Sequence, residues 1–491
     1  MTSTIRSSRA GTRPASPRAV AHAGGLHPLG VLILLAGAFL PIMDFFITNV
    51  ALPSIDASLH APAPALELVV AGYGVAYASL LVLGGRLGDR YGRHRIFLGG
   101  VVAFVLASLA CGLAPSAGFL IGARIVQGAA AAILIPQVLA TFHHTLEGER
   151  KARGLGLYGA TSGIAAVVGQ IVGGLLVSAN IAGTSWRPIF LVNVPIGLIV
   201  LLVAARIVPA TRSPHPVGVD LPGTVLFAAT LTALLVPLTE GHALGWPWWI
   251  WLLLAVAVLL GVITFITEKR AEARGEVPLL PPSLLRLPSM SRGLALVLIF
   301  SMGFGAFMFC FALTVQDGLH NDALRGGLAI VPMAALFLAG SLVAPRLITR
   351  FGRAALSAGA VVQLAGLAWL VGLLVTSWPQ VSLLSLVVPL ALVGAGQSML
   401  FAGLFRSVLA DVPAHLGGVG SGALITLQQS GLALGVAALG TLFLALAPHS
   451  YPHAFAAVEY VQMGIVVLLA IGAALLPRFT QASADAPIID A

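Results

Sequence analysis

Charged residues are scarce in this chain of 491 residues, where Asp, Glu, Lys and Arg together make up 9%. Soluble domains carry roughly a quarter charged residues, so a water-exposed surface around so long a chain is excluded. Cysteine is nearly absent too: Cys111 and Cys310 both lie in apolar runs, which excludes a disulfide framework. A phosphate-loop pattern (G-x-x-x-x-G-K-[ST]) is missing, which disfavours an ATP-driven pump, and the sequence shows neither H-E-x-x-H nor a nucleophile–base set, which disfavours a membrane enzyme. No cofactor and no metal site is predicted.

Hydrophobic residues, by contrast, make up 58% of the chain and cluster in long runs. Runs of about 20 apolar residues cross a bilayer as helices. Membrane β-strands would alternate in segments of about ten, and these runs do not alternate. We therefore predict an all-α integral membrane protein with fourteen transmembrane helices. The predicted spans are 29–52, 66–85, 96–114, 118–139, 154–178, 189–208, 222–239, 248–267, 292–316, 326–345, 354–376, 383–405, 418–446 and 455–476.

The placement of positive charge predicts the orientation of these helices. With the amino terminus inside, only Arg187 and Arg325 of the 26 Lys and Arg fall in outer loops, and Arg124 falls inside a helix. Cytoplasmic loops carry such an excess of Lys and Arg, so the net charge of +9 indicates membrane topology and not nucleic-acid binding. Residues 1–28 are predicted to be a disordered cytosolic tail, because the apolar run that follows is too long for a signal peptide. Both termini are therefore expected in the cytoplasm of a multi-pass cell-membrane protein.

An internal repeat divides the chain. Residues 86–93 read RLGDRYGR and residues 346–353 read RLITRFGR, 260 positions later. Parallel repeats of six helices are a known plan of transporters, with the binding site between the repeats. We predict six-helix bundles at 29–208 and 291–478. A two-helix insert with cytosolic linkers is predicted at 209–290 and a cytosolic tail at 479–491.

Several motifs, in order, resemble the major facilitator superfamily, and more narrowly its fourteen-helix drug:proton antiporters. They are GRLGDRYGRHR (85–95), LIGARIVQG (120–128), MDFFITNVALPSI (43–55), SWRPIFLVNVPIG (185–197) and SGALITLQQSGLALGVAALGT (421–441). The resemblance implies a proton-coupled efflux transporter that exports a small organic compound by alternating access. One departure lies at 167–174, VVGQIVGG, where the family's helix-five motif has Pro at the position of Gln170.

Two charges inside predicted helices stand out, because each costs about 2.5–3.5 kcal/mol to insert. Asp44 and Arg124 lie at nearly the same depth, roughly 22 Å and 21 Å from the cytosolic side. We expect them to interact and to couple proton uptake to helix movement, since Asp44 would bind a proton once it separates from Arg124. A fixed structural ion pair is the alternative. The repeat places Phe304 and Leu384 at the corresponding positions of the second half, so this chemistry is expected in one half only.

A second group of residues is predicted to be a conformational latch in the loop after the second helix. In the resembled family this loop holds the outward-facing state. Asp89 should find a partner such as Arg93 or the start of the helix near Ala354, because a carboxylate at a helix carboxyl end is unfavourable. The predicted latch residues are Gly85, Asp89, Arg90, Gly92 and Arg93.

Uncharged polar side chains in the helices could line a substrate cavity or form hydrogen bonds between helices. These candidates are Thr48, Asn49, Gln127, Gln170, Gln316, Gln397 and Gln428. Glu240 and Asp317 lie near outer helix ends and are expected to contact water.

The sequence leaves three functions open: an exporter, an uptake permease driven by proton symport, and a membrane sensor or scaffold that transports nothing. A transporter would have a small organic molecule, protons and the lipid bilayer as partners. A monomer suffices, because one chain contains both halves.

Overall fold

The structure, a computed structural model, describes residues 26–61, 63–211, 220–241, 244–276, 278–321, 323–412 and 417–475. The predicted tails at 1–28 and 479–491 therefore lie almost wholly outside the described residues. Within the described residues the chain is helical and forms no strand, which confirms the all-α class. Thirteen of these helices are long and apolar enough to cross a membrane, and the seventh predicted span corresponds to a shorter apolar helix at Pro222–Leu238.

We number the membrane helices α1 to α14. The first six are α1 Pro28–Leu59, α2 Ala63–Tyr91, α3 Arg93–Gly112, α4 Ala117–Thr145, α5 Gly148–Ala179 and α6 Pro188–Ile207. The insert contains α7 Leu221–Glu240 and α8 Trp248–Ala273. The last six are α9 Pro288–Leu313, α10 Ala323–Phe351, α11 Arg353–Ser377, α12 Val387–Val408, α13 Gly417–Gly435 and α14 Tyr451–Leu475. A π-turn at Thr314–Gly318 extends α9, and α13 continues through a π-turn at Val436–Gly440 into Thr441–Leu446.

The two ends of the bundle are named by their loops. The basic end is the one at which α2 passes into α3 and α10 into α11. The far end is the one at which α3 passes into α4 and α11 into α12. Gly92 and Gly352 form the two turns at the basic end with φ of +100° and +56°, a backbone conformation that glycine adopts without strain.

The helices are longer than the sequence predicted at several ends. The predicted second span stopped at residue 85, but α2 continues to Tyr91. The segment predicted as a latch loop is therefore mostly the last two turns of a helix, and Gly92 alone separates α2 from α3. The expectation of a loop was wrong, because charged side chains at a helix end can reach water while the backbone stays helical.

The packing of the helices repeats with the helix number raised by eight. In the first six, α2 and α3 pack against α4, and α1 packs against α5 and α6. In the last six, α10 and α11 pack against α12, and α9 packs against α13 and α14. Contacts between the two sets follow the same relation, since α5 packs against α10 and α2 packs against α13.

The insert lies beside the seam between these sets. Its helices α7 and α8 pack against each other, and α7 also contacts α2 and α13. The outer helix α8 exposes large apolar side chains, among them Trp251 (59% exposed) and Val258 (69% exposed). Such a surface is stable against lipid and not against water.

Close approach of helices depends on particular glycines. Gly128 of α4 lies so near α2 that an added methyl group would overlap the carbonyl of Tyr73. In the other half, a methyl group at Gly394 of α12 would overlap the carbonyl of Met333 on α10. Small residues allow such tight packing in membranes, where no hydrophobic effect draws helices together.

We expect Gly128→Ala to lower the melting temperature of the purified protein, because the new methyl group must push α2 away from α4. Overpacking of this kind costs about 1–3 kcal/mol. Gly122→Ala on the same helix is the control, since no heavy atom lies within 4 Å of its added Cβ. Equal melting temperatures for the two variants in detergent would contradict the tight α2–α4 contact.

Candidate functional site

The two buried charges predicted to interact are paired in the structure. Asp44 of α1 and Arg124 of α4 are both fully buried, and Arg124 Nη1 donates to Asp44 Oδ2. Arg124 also donates from Nε to the carbonyl of Val69 at 3.0 Å and from Nη1 to Gln127 Oε1 at 2.7 Å. The Arg124 side chain therefore joins α1, α2 and α4.

The second oxygen of Asp44 accepts two further hydrogen bonds. Gln127 Nε2 donates to Oδ1 at 2.9 Å, and Asn193 Nδ2 of α6 donates to the same atom at 2.6 Å. Both amides also donate to Ser108 Oγ of α3, at 2.6 Å and 3.2 Å. These five side chains, Asp44, Ser108, Arg124, Gln127 and Asn193, form the buried network. Three donor groups thus make five hydrogen bonds to one buried carboxylate and one hydroxyl, as a charged group without water requires.

Tyr73 of α2 covers the buried network on one side. Its hydroxyl donates to the carbonyl of Pro41 at 2.8 Å, and its ring centroid lies 4.3 Å from Arg124 Cζ. A cation over an aromatic face is attracted by the ring electrons. Tyr73 and Pro41 line the central cavity, whereas Asp44 and Arg124 do not. One aromatic ring therefore separates the buried charges from the cavity.

The central cavity lies between the two sets of six helices and has a volume of about 690 Å³. Its wall is mostly apolar and aromatic, with side chains from both sets, including Phe45, Phe304, Phe337 and Phe401. His143, Lys151 and Arg406 line it at the basic end. The cavity therefore reaches from the middle of the bundle to the basic end.

At the far end the two sets of helices meet and close the cavity. A Cβ at Gly174 of α5 would lie 3.3 Å from Leu324 Cα of α10, and one at Gly327 would lie 3.5 Å from Gln170 Cβ. Gln170, which stands at the departure in the helix-five motif, is therefore part of this closing contact and does not line the cavity.

The polar side chains predicted for the cavity are found in several places. Gln428 lines the cavity, as does its neighbour Gln429. Gln127 belongs to the buried network, and Thr48 and Asn49 hydrogen-bond to carbonyls of their own helix. Gln316 packs against Gly326, and Gln397 is buried within α12. Of the seven predicted residues, only Gln428 lines the cavity, and hydrogen bonds within and between helices account for Thr48, Asn49 and Gln127.

The predicted latch residues lie at the end of α2 and the start of α3. Asp89 accepts from Arg93 Nη2 at 2.8 Å, one of the partners predicted for it, and Gly85 and Arg90 lie in the last turns of α2. The backbone N–H of Arg93 donates to the carbonyl of Thr211, in the linker after α6. This linker thus holds the start of α3 in place.

Arg86 connects the same region to the insert. The guanidinium group donates to the carbonyl of Pro278, and Asp220 and Glu268 at the basic end of the insert interact with it electrostatically. Glu268 itself accepts from the N–H of Leu280 at 2.9 Å. The insert therefore contributes two carboxylates beside the predicted latch.

The two acids that were expected to contact water differ in their exposure. Asp317 is exposed, but Glu240 is only 2% exposed, so the expectation for Glu240 was wrong because α7 packs that end of the helix against its neighbours. Sequence reasoning also missed Ser108, Tyr73 and Asn193. The sequence could have indicated Asn193, because it is a polar residue inside a membrane span and lies in one of the quoted motifs.

Comparison with known proteins identifies relatives along most of the chain. The profile of the Major Facilitator Superfamily matches residues 34–230 and 222–436. The probable actinorhodin transporter of Streptomyces coelicolor is 36% identical over 84% of this chain and 72% of its own length. The cephamycin export protein of Amycolatopsis lactamdurans is 35% identical over 88% of this chain and 89% of its own.

A further relative and a solved structure also match this chain. The methylenomycin A resistance protein of Streptomyces coelicolor is 32% identical over 90% of this chain and 91% of its own length. The crystal structure of an auto-inhibited POT family peptide transporter matches with a TM-score of 0.61, over 93% of this chain and 99% of that one. At 15% identity this last likeness concerns the fold alone.

We expect Arg124→Leu to destabilise the protein strongly, because Asp44 would remain buried without a cation. Breaking a buried pair in this way costs about 3–5 kcal/mol. Adding Asp44→Asn should restore part of the lost stability, since the amide carries no charge. Thermal unfolding in detergent measures both effects, with Arg274→Leu, whose side chain is 68% exposed, as the control. An equal loss with and without Asp44→Asn would show that the pair does not govern stability.

Proposed function

The chain belongs to the major facilitator superfamily and is a multi-pass membrane transporter, and on that basis we propose that it exports a small organic compound in exchange for protons. Its relatives include antibiotic export and resistance proteins, which supports export over uptake. The observation that carries the proton coupling is the buried network around Asp44.

The basic end is assigned to the cytoplasm of the cell membrane, together with both termini. Nearly all Lys and Arg residues outside the helices fall at that end, and positive charge is retained on the cytoplasmic side. The cavity reaches this end, so the conformation described is the one that takes up a compound from inside the cell. An exporter must load from this side.

Transport follows by alternating access of the two halves, 29–208 and 291–478. The contacts of Gly174 with Leu324 and of Gln170 with Gly327 close the outer side in this conformation. Separating them would open the cavity outward, while the basic ends of the halves come together. Asp89, held here by Arg93, would then exchange that partner for one in the other half.

Asp44 is the proposed proton carrier. In the closed network Arg124 and the two amides donate hydrogen bonds to the carboxylate of Asp44, which favours its ionised form. If α1 and α2 move so that Tyr73 uncovers the network, water reaches Asp44 and a proton binds. Protonation removes the attraction to Arg124, which shifts the balance between the two conformations.

The cavity favours neutral or anionic aromatic compounds. No Asp or Glu residue is among the described residues that line it, whereas His143, Lys151 and Arg406 lie near its mouth. A cationic compound that enters the cavity would lose its contacts with water and would find no carboxylate to pair with. Burial of such an unpaired charge is costly. The volume of about 690 Å³ suits a drug-sized molecule. The protein needs no second copy for this cycle and is proposed to act as a monomer.

We expect Asp44→Asn to diminish proton-driven transport strongly while substrate exchange without a gradient continues, because the amide cannot bind and release a proton. Inverted vesicles from expressing cells measure both activities, and a protonophore should stop only the driven component. Asp317→Asn, an exposed acid at the far end, is the control.

Undiminished proton-driven flux in Asp44→Asn would end the coupling proposal. Accumulation in right-side-out vesicles under an inward proton gradient would favour the uptake permease. The absence of any flux in the wild-type protein, across a broad panel of compounds, would favour a sensor or scaffold.

We expect neutral and anionic aromatic dyes to be transported faster than cationic dyes of matched size in proteoliposomes. Lys151→Glu should shift the preference toward cationic dyes, because it places a carboxylate in the cavity. Lys269→Glu makes the same charge change at the basic end of α8, away from the cavity, and should not alter the preference. Faster transport of cationic dyes by the wild type would refute the proposed substrate class.

A further inference from the structure

A second buried acid lies in the last six helices. Glu459 of α14 is fully buried, and neither of its carboxyl oxygens has a hydrogen-bond partner within the described residues. None of the ion pairs among those residues includes it. This acid differs from Asp44, which is paired and fully hydrogen-bonded.

The helices around Glu459 place no cation beside it in the described structure. On α9 the nearest titratable group is the buried Cys310, and on the adjoining π-turn it is Asp317, which is exposed. On α11 the charged residue is Arg353, at the basic end, and the segment 441–446 of α13 has no charge. His453 of α14 itself is exposed and bonds to Ser450 at 2.8 Å.

An ionised carboxylate in this setting would have lost its hydration without gaining a cation or a donor. The cost of such a state far exceeds that of a neutral carboxylic acid, so a buried acid keeps its proton. Phenyl rings lie nearby. The ring centroid of Phe455, one turn before Glu459 on α14, lies 6.4 Å from that of Phe307 and 6.3 Å from that of Phe311, both on α9.

Glu459 lies in the helix pair of the last six that corresponds to the pair holding Asp44, although on the other member of that pair. Asp44 lies on α1, which packs against α6, and Glu459 lies on α14, which packs against α9 in the same relation. Both acids stand about 24 Å along their helices from the basic end. The described residues of each half therefore include a buried acid at about the same depth and in the same helix pair, on opposite members of that pair.

Helix α9 links Glu459 to the cavity. Phe304 and Met308 on one face of α9 line the cavity, while Phe307 and Cys310 on the other face point towards α14. A compound that displaces α9 from the cavity side would alter the surroundings of Glu459. The adjoining π-turn, Thr314–Gly318, is a departure from regular helix of a kind frequent at functional sites.

We propose that Glu459 is a second proton-binding site, which releases its proton when a compound occupies the cavity and binds another in the outward-open state. The step is a proton transfer between the carboxylic acid and water, and no other bond changes. It rests on the proposed export in exchange for protons and raises the exchange to two protons for each molecule exported.

The first test measures proton binding without transport. Infrared titration of the purified full-length protein in nanodiscs should show a protonated-carboxyl band that disappears at high pH and is missing in Glu459→Gln. Glu240→Gln, a change at another buried acid that lies in the insert, should keep the band. Glu459→Asp retains a carboxyl group and should titrate at a different pH.

The second test measures the ratio of protons to dye in proteoliposomes, with the dye that the charge panel finds best transported. The ratio should fall from two in the wild type to one in Glu459→Gln and remain two in Glu240→Gln. A wild-type ratio of one, or a band at Glu459 that never titrates, overturns the second site while leaving Asp44 as the coupling group. Absence of any proton-driven flux in the wild type overturns the proposed function instead. In that case the infrared titration alone shows whether Glu459 binds and releases a proton.

Discussion

The burial of one carboxylate beside one guanidinium group determines much of the architecture of the first six helices. Without water, Asp44 and Arg124 are tolerable only if each finds polar partners, and α1, α2, α3, α4 and α6 all supply one. Satisfying one charge in this way fixes the mutual positions of five helices. In the proposed mechanism, the same dependence would make the arrangement sensitive to a proton, because neutralising Asp44 would remove its attraction to Arg124.

The cavity and the charges are adjacent but separate. Tyr73 faces the cavity with one surface and Arg124 with the other. In the proposed mechanism, a compound in the cavity and a proton on Asp44 would act on the same helices from opposite sides of one ring. At the seam between the halves, α7 packs on α2 and α13, and its partner α8 presents Glu268 to Arg86. The insert is therefore in contact with both halves.

Sequence reasoning placed Asp44 and Arg124 at one depth and found Gln127 one turn away, because helical rise converts residue number into depth. It did not find Ser108, Tyr73 or Glu459. A serine or tyrosine in an apolar run looks the same whether it faces lipid, a cavity or a charge. Glu459 lies within the last predicted span, where an unpaired acid was not expected, and the 260-residue repeat offset does not bring it into register with Asp44. The roles of these residues follow from which neighbouring helix each one faces.

The sequence by itself determined that the chain is a membrane protein and that its fold is all-helical. It also determined the number of apolar spans to within one short helix, and the presence of an internal repeat. These properties depend on hydropathy and helical rise, which are local. Only the tertiary structure decided which polar side chains line the cavity, which side of the bundle is closed, and which acids are paired. Those outcomes depend on contacts between helices far apart in the chain. A glutamine in an apolar run can hydrogen-bond to a neighbouring helix, pack in the contact that closes the cavity, or line the cavity, and the sequence does not distinguish these positions.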